Sequence, residues 1–359
     1  MRILITGICG FVGSTLAASL PTACGTSDRV EIVGIDNLSR AGSETNRTRL
    51  IRGGVRVFHG DLRSPDDLLQ IPPCDWVVDA AANPSVLAGV DGQSTSRQVF
   101  DHNLSSTIHL LEYCKKHHAG FVLLSTSRVY SIRALSGLPM IEQGGSFGLD
   151  TAKALPAGVS AAGVDESFST QPPVSLYGVS KLTSELLALE YGQTFDFPVW
   201  INRCGVLAGA GQFGRPDQGI FSYWINSHLR RKPLKFIGFG GQGWQARDAL
   251  HPLDLLPLLA KQFSWSGDVS SRILALGGGP ENTLSLRQLH EWCGTRFGQH
   301  PAVADPSSRL FDIPWMVMDY RRAKSVFGWQ PTRGIYDILE EIALHAERHE
   351  NWLEISGVS

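Results

Sequence analysis

Arg2-Ile3-Leu4-Ile5-Thr6-Gly7-Ile8-Cys9-Gly10-Phe11-Val12-Gly13 opens the chain with a short β-rich run and three spaced glycines. The glycines read G-x-x-G-x-x-G, and Val12–Leu20 continues in a helical pattern expected to end before Pro21. A glycine triplet has meaning when it joins a strand to a helix. There it allows a tight turn, close approach of backbone to a pyrophosphate, and close packing of helix on sheet. The helix N-terminus adds free N–H groups and positive dipole charge. Asp36 ends the next β-rich run, 23 residues after Gly13. A carboxylate there accepts from ribose hydroxyls and repels a 2'-phosphate, so the pattern predicts NAD rather than NADP.

Working outward, further β-rich runs are Val30–Ile35, Val55–His59, Trp76–Ala80, Phe121–Ser125 and Val199–Asn202. Helical stretches such as Val99–Lys116 and Val179–Tyr191 lie between them. Strands alternating with helices predict an α/β fold: a Rossmann-type doubly wound parallel sheet with right-handed crossovers. After residue 203 Gly, Pro and aromatic residues become frequent, and helices are expected at Ser285–Phe297 and Ile335–Trp352. The division expected is a dinucleotide-binding domain over 1–203, joined by 243–276, and a smaller C-terminal substrate-binding lobe over 204–242 and 277–359. Residues 131–170 form an insert with weak periodicity, read equally as an active-site flap or a surface decoration.

Composition narrows the class. The 359 residues are 43% hydrophobic and 18% charged, which suits a globular core and not a disordered chain. Net charge is −2, so no basic field points to nucleic acid or an anionic membrane. No apolar run approaches the ~18 residues of a membrane span. The start has no signal-peptide build, and a cytoplasmic location is expected. Six cysteines without a C-x-x-C pair read as buried free thiols. His345 and His349 share a helix face but lack a third ligand, so no metal is expected.

The chemistry is carried by Tyr177-x-x-x-Lys181, two residues on one helix face. A phenol is a weak base at neutral pH unless a nearby cation favours phenolate. Tyr177 is then able to take a proton from a sugar or alcohol hydroxyl as hydride leaves the carbon. Ser125-Thr126-Ser127, at a strand end, offers a hydroxyl to hold the reacting oxygen. Asp61 and Leu62 follow the third strand, and Ala80, Ala81 and Ala82 the fourth, where small residues let a ligand lie against backbone.

These motifs together resemble the extended short-chain dehydrogenase/reductases, specifically the nucleotide-sugar epimerases and dehydratases. The resemblance rests on Gly7, Gly10 and Gly13; Asp36-Asn37-Leu38-Ser39-Arg40; Gly60-Asp61-Leu62; Asn103 with Leu110-Leu111-Glu112; Ser125-Thr126 with Val129-Tyr130; Tyr177 and Lys181. In the second half it adds Arg247-Asp248 with His251 and Asp254, Arg309 with Asp312, Asp319, and Gly328-Trp329-Gln330-Pro331. It implies that Thr126, Tyr177 and Lys181 are catalytic. It implies NAD contacts at Gly7, Gly10, Phe11, Val12, Gly13, Asp36, Asn37, Ser39, Arg40, Asp61, Leu62, Ala80, Ala81, Ala82 and Asn103, beside Tyr177 and Lys181. A nucleotide-sugar substrate would meet Thr126, Gln212, Gln218, Arg247, Arg309 and Asp312.

Ser127-Arg128 stands where the dehydratases carry Asp-Glu, which argues against a 4,6-dehydratase. Within the family, the runs at 212–219, 243–251 and 277–286 are most similar to CDP-tyvelose (CDP-paratose) 2-epimerases. That implies transient oxidation of a ring carbon and its reduction from the other face. The other readings are a 4-epimerase or other modifier of a UDP- or CDP-sugar, and a non-catalytic NAD-binding regulator. Helices Val99–Lys116 and Val179–Tyr191 are expected to pair across a two-fold, giving a homodimer or homotetramer.

Overall fold

Strand β1, Arg2–Thr6, runs through the interior of a seven-stranded parallel sheet. The others are β2 (Glu31–Asp36), β3 (Arg56–His59), β4 (Trp76–Asp79), β5 (Gly120–Thr126), β6 (Val199–Cys204) and β7 (Ile273–Leu276). Their order, β7-β6-β5-β4-β1-β2-β3, reverses direction at β1, so a crevice opens at the strand ends there. This computed structural model describes residues 1–25, 30–267 and 271–358. Alternate residues of each central strand enter opposite core layers. Ile3, Ile5, Val78 and Val122 face Leu16, Leu20, Leu258 and Leu259. Leu4, Val77, Phe121 and Leu123 face Leu110, Leu111 and Ala188. Full burial of each such aliphatic side chain contributes about 1.5–3 kcal/mol, which offsets the ordering of the strands.

Some boundaries differ from the sequence reading. The first helix spans Phe11–Ala23 with Pro21 inside it. Pro21 removes one hydrogen bond in the last turn, while Leu16, Ala17 and Leu20 keep the helix seated in the core. The stretch read as Val99–Lys116 starts at Ser96, behind a Thr95–Gln98 capping box. It widens into a π turn at Asp101–Ser105 before continuing as Ser106–His117. The wider turn rotates Asn103 into the interior. The helix bearing Tyr177 spans Ser175–Phe195, and the last long helix stops at Arg348, with Trp352–Ile355 as a separate turn.

A second sheet joins Val206–Leu207, Ala246–Leu250, Thr283–Ser285 and Trp315–Met316. Helices Ile220–Leu229, Leu286–Phe297 and Ile335–Arg348 pack around Trp224, Leu289, Ile338 and Ile342 beside it. Within 243–276, residues 246–250 lie in this second sheet, and the chain rejoins the first with helix Leu256–Phe263 and β7. The chain therefore passes between the two sheets three times: after β6, before β7 and after β7.

The insert is ordered as a short helix, Ile132–Ser136, and two hairpins, Met140–Gln143 with Ser146–Leu149 and Val159–Ser160 with Gly163–Val164. The first hairpin docks on the second sheet's surroundings. Phe147 N–H donates to Trp244 O at 2.8 Å, and its ring meets Phe239 and Trp244. The insert's other end is tied to β7, where Ala275 N–H donates to Glu166 Oε1 at 2.7 Å. Among the described residues, no helix is long and apolar enough to cross a membrane.

Candidate active site

The glycine loop is built for backbone contact. Gly7 has φ +57°, and a Cβ there would stand 2.9 Å from Ala81 Cα. A Cβ on Gly13 would stand 2.3 Å from Gly7 O. Gly10 N–H donates to Gly7 O at 2.9 Å and caps the first helix without a side chain. Phe11 and Val12 open the helix, whose first N–H groups face the loop's mouth. A cradle that any side chain would fill fits a pyrophosphate, so the residues present suit the dinucleotide.

Asp36 does more than the sequence reading assigns. Its Oδ2 accepts from Cys9 N–H and its Oδ1 from Leu38 N–H, both at 2.8 Å, so it braces the glycine loop and its own turn. Burial raises its pKa, and these backbone donors oppose that. Asn37 Nδ2 donates to Asp61 Oδ2 at 3.1 Å, and Ser39 N–H to Asn37 Oδ1 at 3.0 Å. Hydrogen bonding from Arg63 holds Asp61 well below the usual carboxylate range. The buried Leu62 follows, its carbonyl on His109. Arg40 turns away from Asp36. It donates to Gln218 Oε1 at 2.8 Å and Phe213 O at 2.6 Å, tying the cofactor loop to the 212–219 segment. Thr6 Oγ1 accepts from both Ala80 and Ala81 N–H at 3.1 Å, fixing the small-residue floor that ends at the exposed Ala82. Asn103 clamps Asn83 through N–H and carbonyl, at 2.8 and 3.2 Å, and reaches Ser180 Oγ at 3.1 Å. It shapes the site by holding that floor against the Tyr177 helix.

Thr126, Tyr177 and Lys181 come together. Tyr177 is 7% exposed and Lys181 2%. Thr126 Oγ1 accepts Arg128 N–H at 3.1 Å, and its hydroxyl favours the Tyr177 phenolate. Burial pushes the Tyr177 phenol up to about 12, while Thr126 and Arg128 pull the other way. Burial likewise lowers Lys181, whose charge is sustained by Asp79 and Glu185. The sequence reading gives Lys181 the task of favouring phenolate; in the structure Arg128 adds positive charge that acts in the same direction.

One turn beyond Lys181, Glu185 is the buried hub that the sequence reading missed. It accepts from Ser125 Oγ and makes a forked pair with Arg203 of β6, the closest contact 2.7 Å. Its signal was visible: a carboxylate at four-residue spacing from Lys181 on a helix face that points inward.

On the second sheet's side, Arg247 donates to Asp312 Oδ1 at 3.0 Å, Ile313 O at 2.8 Å and Ala246 O at 2.7 Å. Burial lowers its pKa to about 10; Asp312 opposes this, and Arg128 and Arg309 add to it. Arg309 donates to Pro216 O at 3.1 Å and Arg128 to Phe311 O at 3.2 Å. Arg247 thus pairs with Asp312, and Arg128 and Arg309 lie close enough to add their positive charge to the same cluster. Gln212 Nε2 donates to Leu207 O at 2.7 Å, while its buried Oε1 has no partner among the described residues. Gln218 is held by Arg40.

Sheet order, glycine cradle and crevice define a Rossmann-type dinucleotide-binding enzyme. Residues 3–262 match the NAD dependent epimerase/dehydratase family, and the chain belongs to it. NAD is its cofactor. The chain is 28% identical to the CDP-paratose 2-epimerase of Salmonella typhi over 346 residues, covering 92% of this chain and 95% of that one. It is 25% identical to the UDP-glucose 4-epimerase of Corynebacterium glutamicum over 344 residues, covering 92% and 91%. The solved UDP-glucuronic acid 4-epimerase of Bacillus cereus, in complex with UDP-glucuronic acid and NAD, superposes with a TM-score of 0.75. Its identity is 25%, over 97% of this chain and 99% of that one.

Proposed function

We propose that the protein epimerises a nucleotide sugar through a transient keto intermediate, with a CDP-linked deoxyhexose inverted at C2 as the favoured reaction. The buried Tyr177 and Lys181, one turn apart on the same helix face beside the end of β5 that carries Thr126, carry this reading. Bound in the glycine cradle, NAD supplies a two-electron acceptor that serves as donor in the return step. Thr126 holds the hydroxyl of the reacting carbon. Tyr177 removes its proton as the carbon becomes a carbonyl, and returns that proton when the carbonyl is reduced from the opposite face. Lys181, with its charge sustained by Asp79 and Glu185, holds the ribose beside the tyrosine. Arg247 and Arg309 grip the diphosphate, whose negative charge matches the cluster's excess of cations over Asp312. The second unit, 204–250 with 277–358, holds the nucleotide sugar.

A 4-epimerase of a UDP-sugar is the second reading, supported by relatives of that kind matched over nine-tenths of the chain. We further propose a homodimer or homotetramer built on helices Ser106–His117 and Ser175–Phe195, where Leu186 is exposed. The free cysteines suit the reducing cytoplasm.

The NAD-loaded protein is mixed with CDP-, UDP- and GDP-sugars and new epimers are followed by NMR. A CDP-sugar should give a second epimer, a UDP-sugar would move the assignment to the second reading, and silence across the panel would overturn both. Tyr177→Phe should lower turnover by about 10²–10⁴-fold and leave NAD bound.

A further inference from the structure

The two ends of the chain meet beside the glycine loop. The turn over 36–42, which begins at the ribose carboxylate Asp36, contains two left-handed residues, Leu38 at φ +56° and Gly42 at φ +88°. For Leu38 that conformation is uncommon, so the turn relies on contacts from outside to keep its shape. They come from the second unit. Arg40 donates to Phe213 O at 2.6 Å and to Gln218 Oε1 at 2.8 Å. Gly42 packs on Phe213 and Ile355, where a Cβ would stand 2.6 Å from the ring and 2.8 Å from Ile355 Cγ2. Phe213 is itself stacked on Trp352, with ring centroids 5.3 Å apart, and Trp352 Nε1–H donates to Gln212 O at 2.9 Å. Both rings are buried. On the other side of the turn, Asn46 Nδ2 donates to Cys9 O at 2.9 Å, and Cys9 N–H donates to Asp36 Oδ2 at 2.8 Å. Glycine loop, ribose turn, 212–218 segment and C-terminal turn thus form one continuous series of contacts.

We propose that the C-terminal turn Trp352–Ile355 is a positioning element of the NAD site. Trp352 seats Phe213, Phe213 and Arg40 hold the ribose turn, and the turn keeps Asp36 in place before NAD arrives. Arg40 serves the cofactor through these protein contacts and not as a ligand of it. A site shaped in advance loses less freedom when its ligand binds, and so holds it longer. The residue types suit the task. The planar fork of Arg40 meets a carbonyl and an amide oxygen together, which a single ammonium on a flexible stem does less well. The indole of Trp352 supplies both a broad face for Phe213 and a directed N–H for Gln212 O, so the 212–218 segment is fixed in orientation as well as buried.

The test needs only NAD, so its outcome is independent of which sugar is turned over. NAD-loaded protein is mixed with excess radiolabelled NAD, and exchange is followed by filter retention. Trp352→Ala and Arg40→Ala should each speed NAD release about tenfold. Trp352→Phe keeps the stack and should stay within about threefold of wild type. Both alanine changes act through one turn, so the double variant should release NAD no more than about twofold faster than the faster single variant. Leu289→Ala, in the separate core around Trp224, should lower the melting temperature and leave release at the wild-type rate. Wild-type release from folded Trp352→Ala would overturn the proposal. Effects that multiply to about a hundredfold in the double variant would also overturn it, by making Arg40 a ligand that acts independently of the C-terminal turn. Equally fast release from Leu289→Ala would reduce the effect to general loosening and sink the positioning role. Should Trp352→Ala not fold, Phe213→Leu keeps apolar bulk and loses the stack, and wild-type release from that variant counts against the proposal in the same way.

Discussion

Asp248, next to Arg247, is a carboxyl kept away from water. Its Oδ2 accepts from Gly279 and Met318 N–H at 3.1 and 3.2 Å, and its Oδ1 has no partner among the described residues. Gly277 leaves room for it, since a Cβ there would stand 2.1 Å from Oδ2. Burial pushes its pKa up to about 7. The folded state therefore binds the proton more tightly than the unfolded chain, whose ordinary Asp value lies near 3.9. The sign follows: this contribution to stability is complete below about pH 4 and is lost as pH rises towards 7. Asp248→Asn should remove a slope of about 1.4 kcal/mol per pH unit in that window, measured as the wild-type-minus-variant difference in urea unfolding. Equal slopes in the two proteins would refute the buried neutral carboxyl. Sequence alone pairs Asp248 with Arg247 as neighbours in a motif. It does not reveal that the carboxyl faces Gly277 while the guanidinium faces Asp312, because alternate residues of a strand point to opposite sides.

Helix Ser175–Phe195 presents Tyr177, Lys181 and Glu185 at four-residue intervals on its buried face. Glu185 is 1% exposed and Arg203 is 4% exposed, so each relies on the other for its charge. Glu185→Ala leaves Arg203 uncompensated and should cost about 3–5 kcal/mol, read from urea midpoints. The double variant Glu185→Leu with Arg203→Met should recover much of this; if it is as unstable as the single change, the pair is not the cause. Elements of this kind were partly legible. β1, β2 and β4 to β6 show in the sequence as apolar runs because both sheet faces are buried, whereas β3, at the sheet edge, is only half-buried. Pro21 misled as a helix stop because tertiary packing outweighs one lost bond near a helix end. The hairpins at 140–149 and 159–164 escaped notice because their strands have only two to four residues, too short for alternation to register. Tyr177 and Lys181 were legible because their relation is local. Arg203 and Arg128 were not, because their partners come from distant segments.

At the scale of the molecule, the insert is a strap between the two units. Phe147 meets Phe239 and Trp244 at ring distances of 5.6 and 6.0 Å, and Val164 pairs with the 317–319 segment. Phe147→Ser should cost about 1–2 kcal/mol and expose the 140–149 hairpin to limited proteolysis, with NAD content unchanged. A hairpin that resists protease as well as wild type would show that the aromatic contact does not hold it. The chain also passes three times between the sheets, at residues just after Cys204, between Leu250 and Leu256, and after Leu276. Two panels sewn along three seams cannot swing about any single pair of bonds. Any change in the spacing of the two sheets has to bend all three crossings together, whereas a single crossing would act as a free hinge.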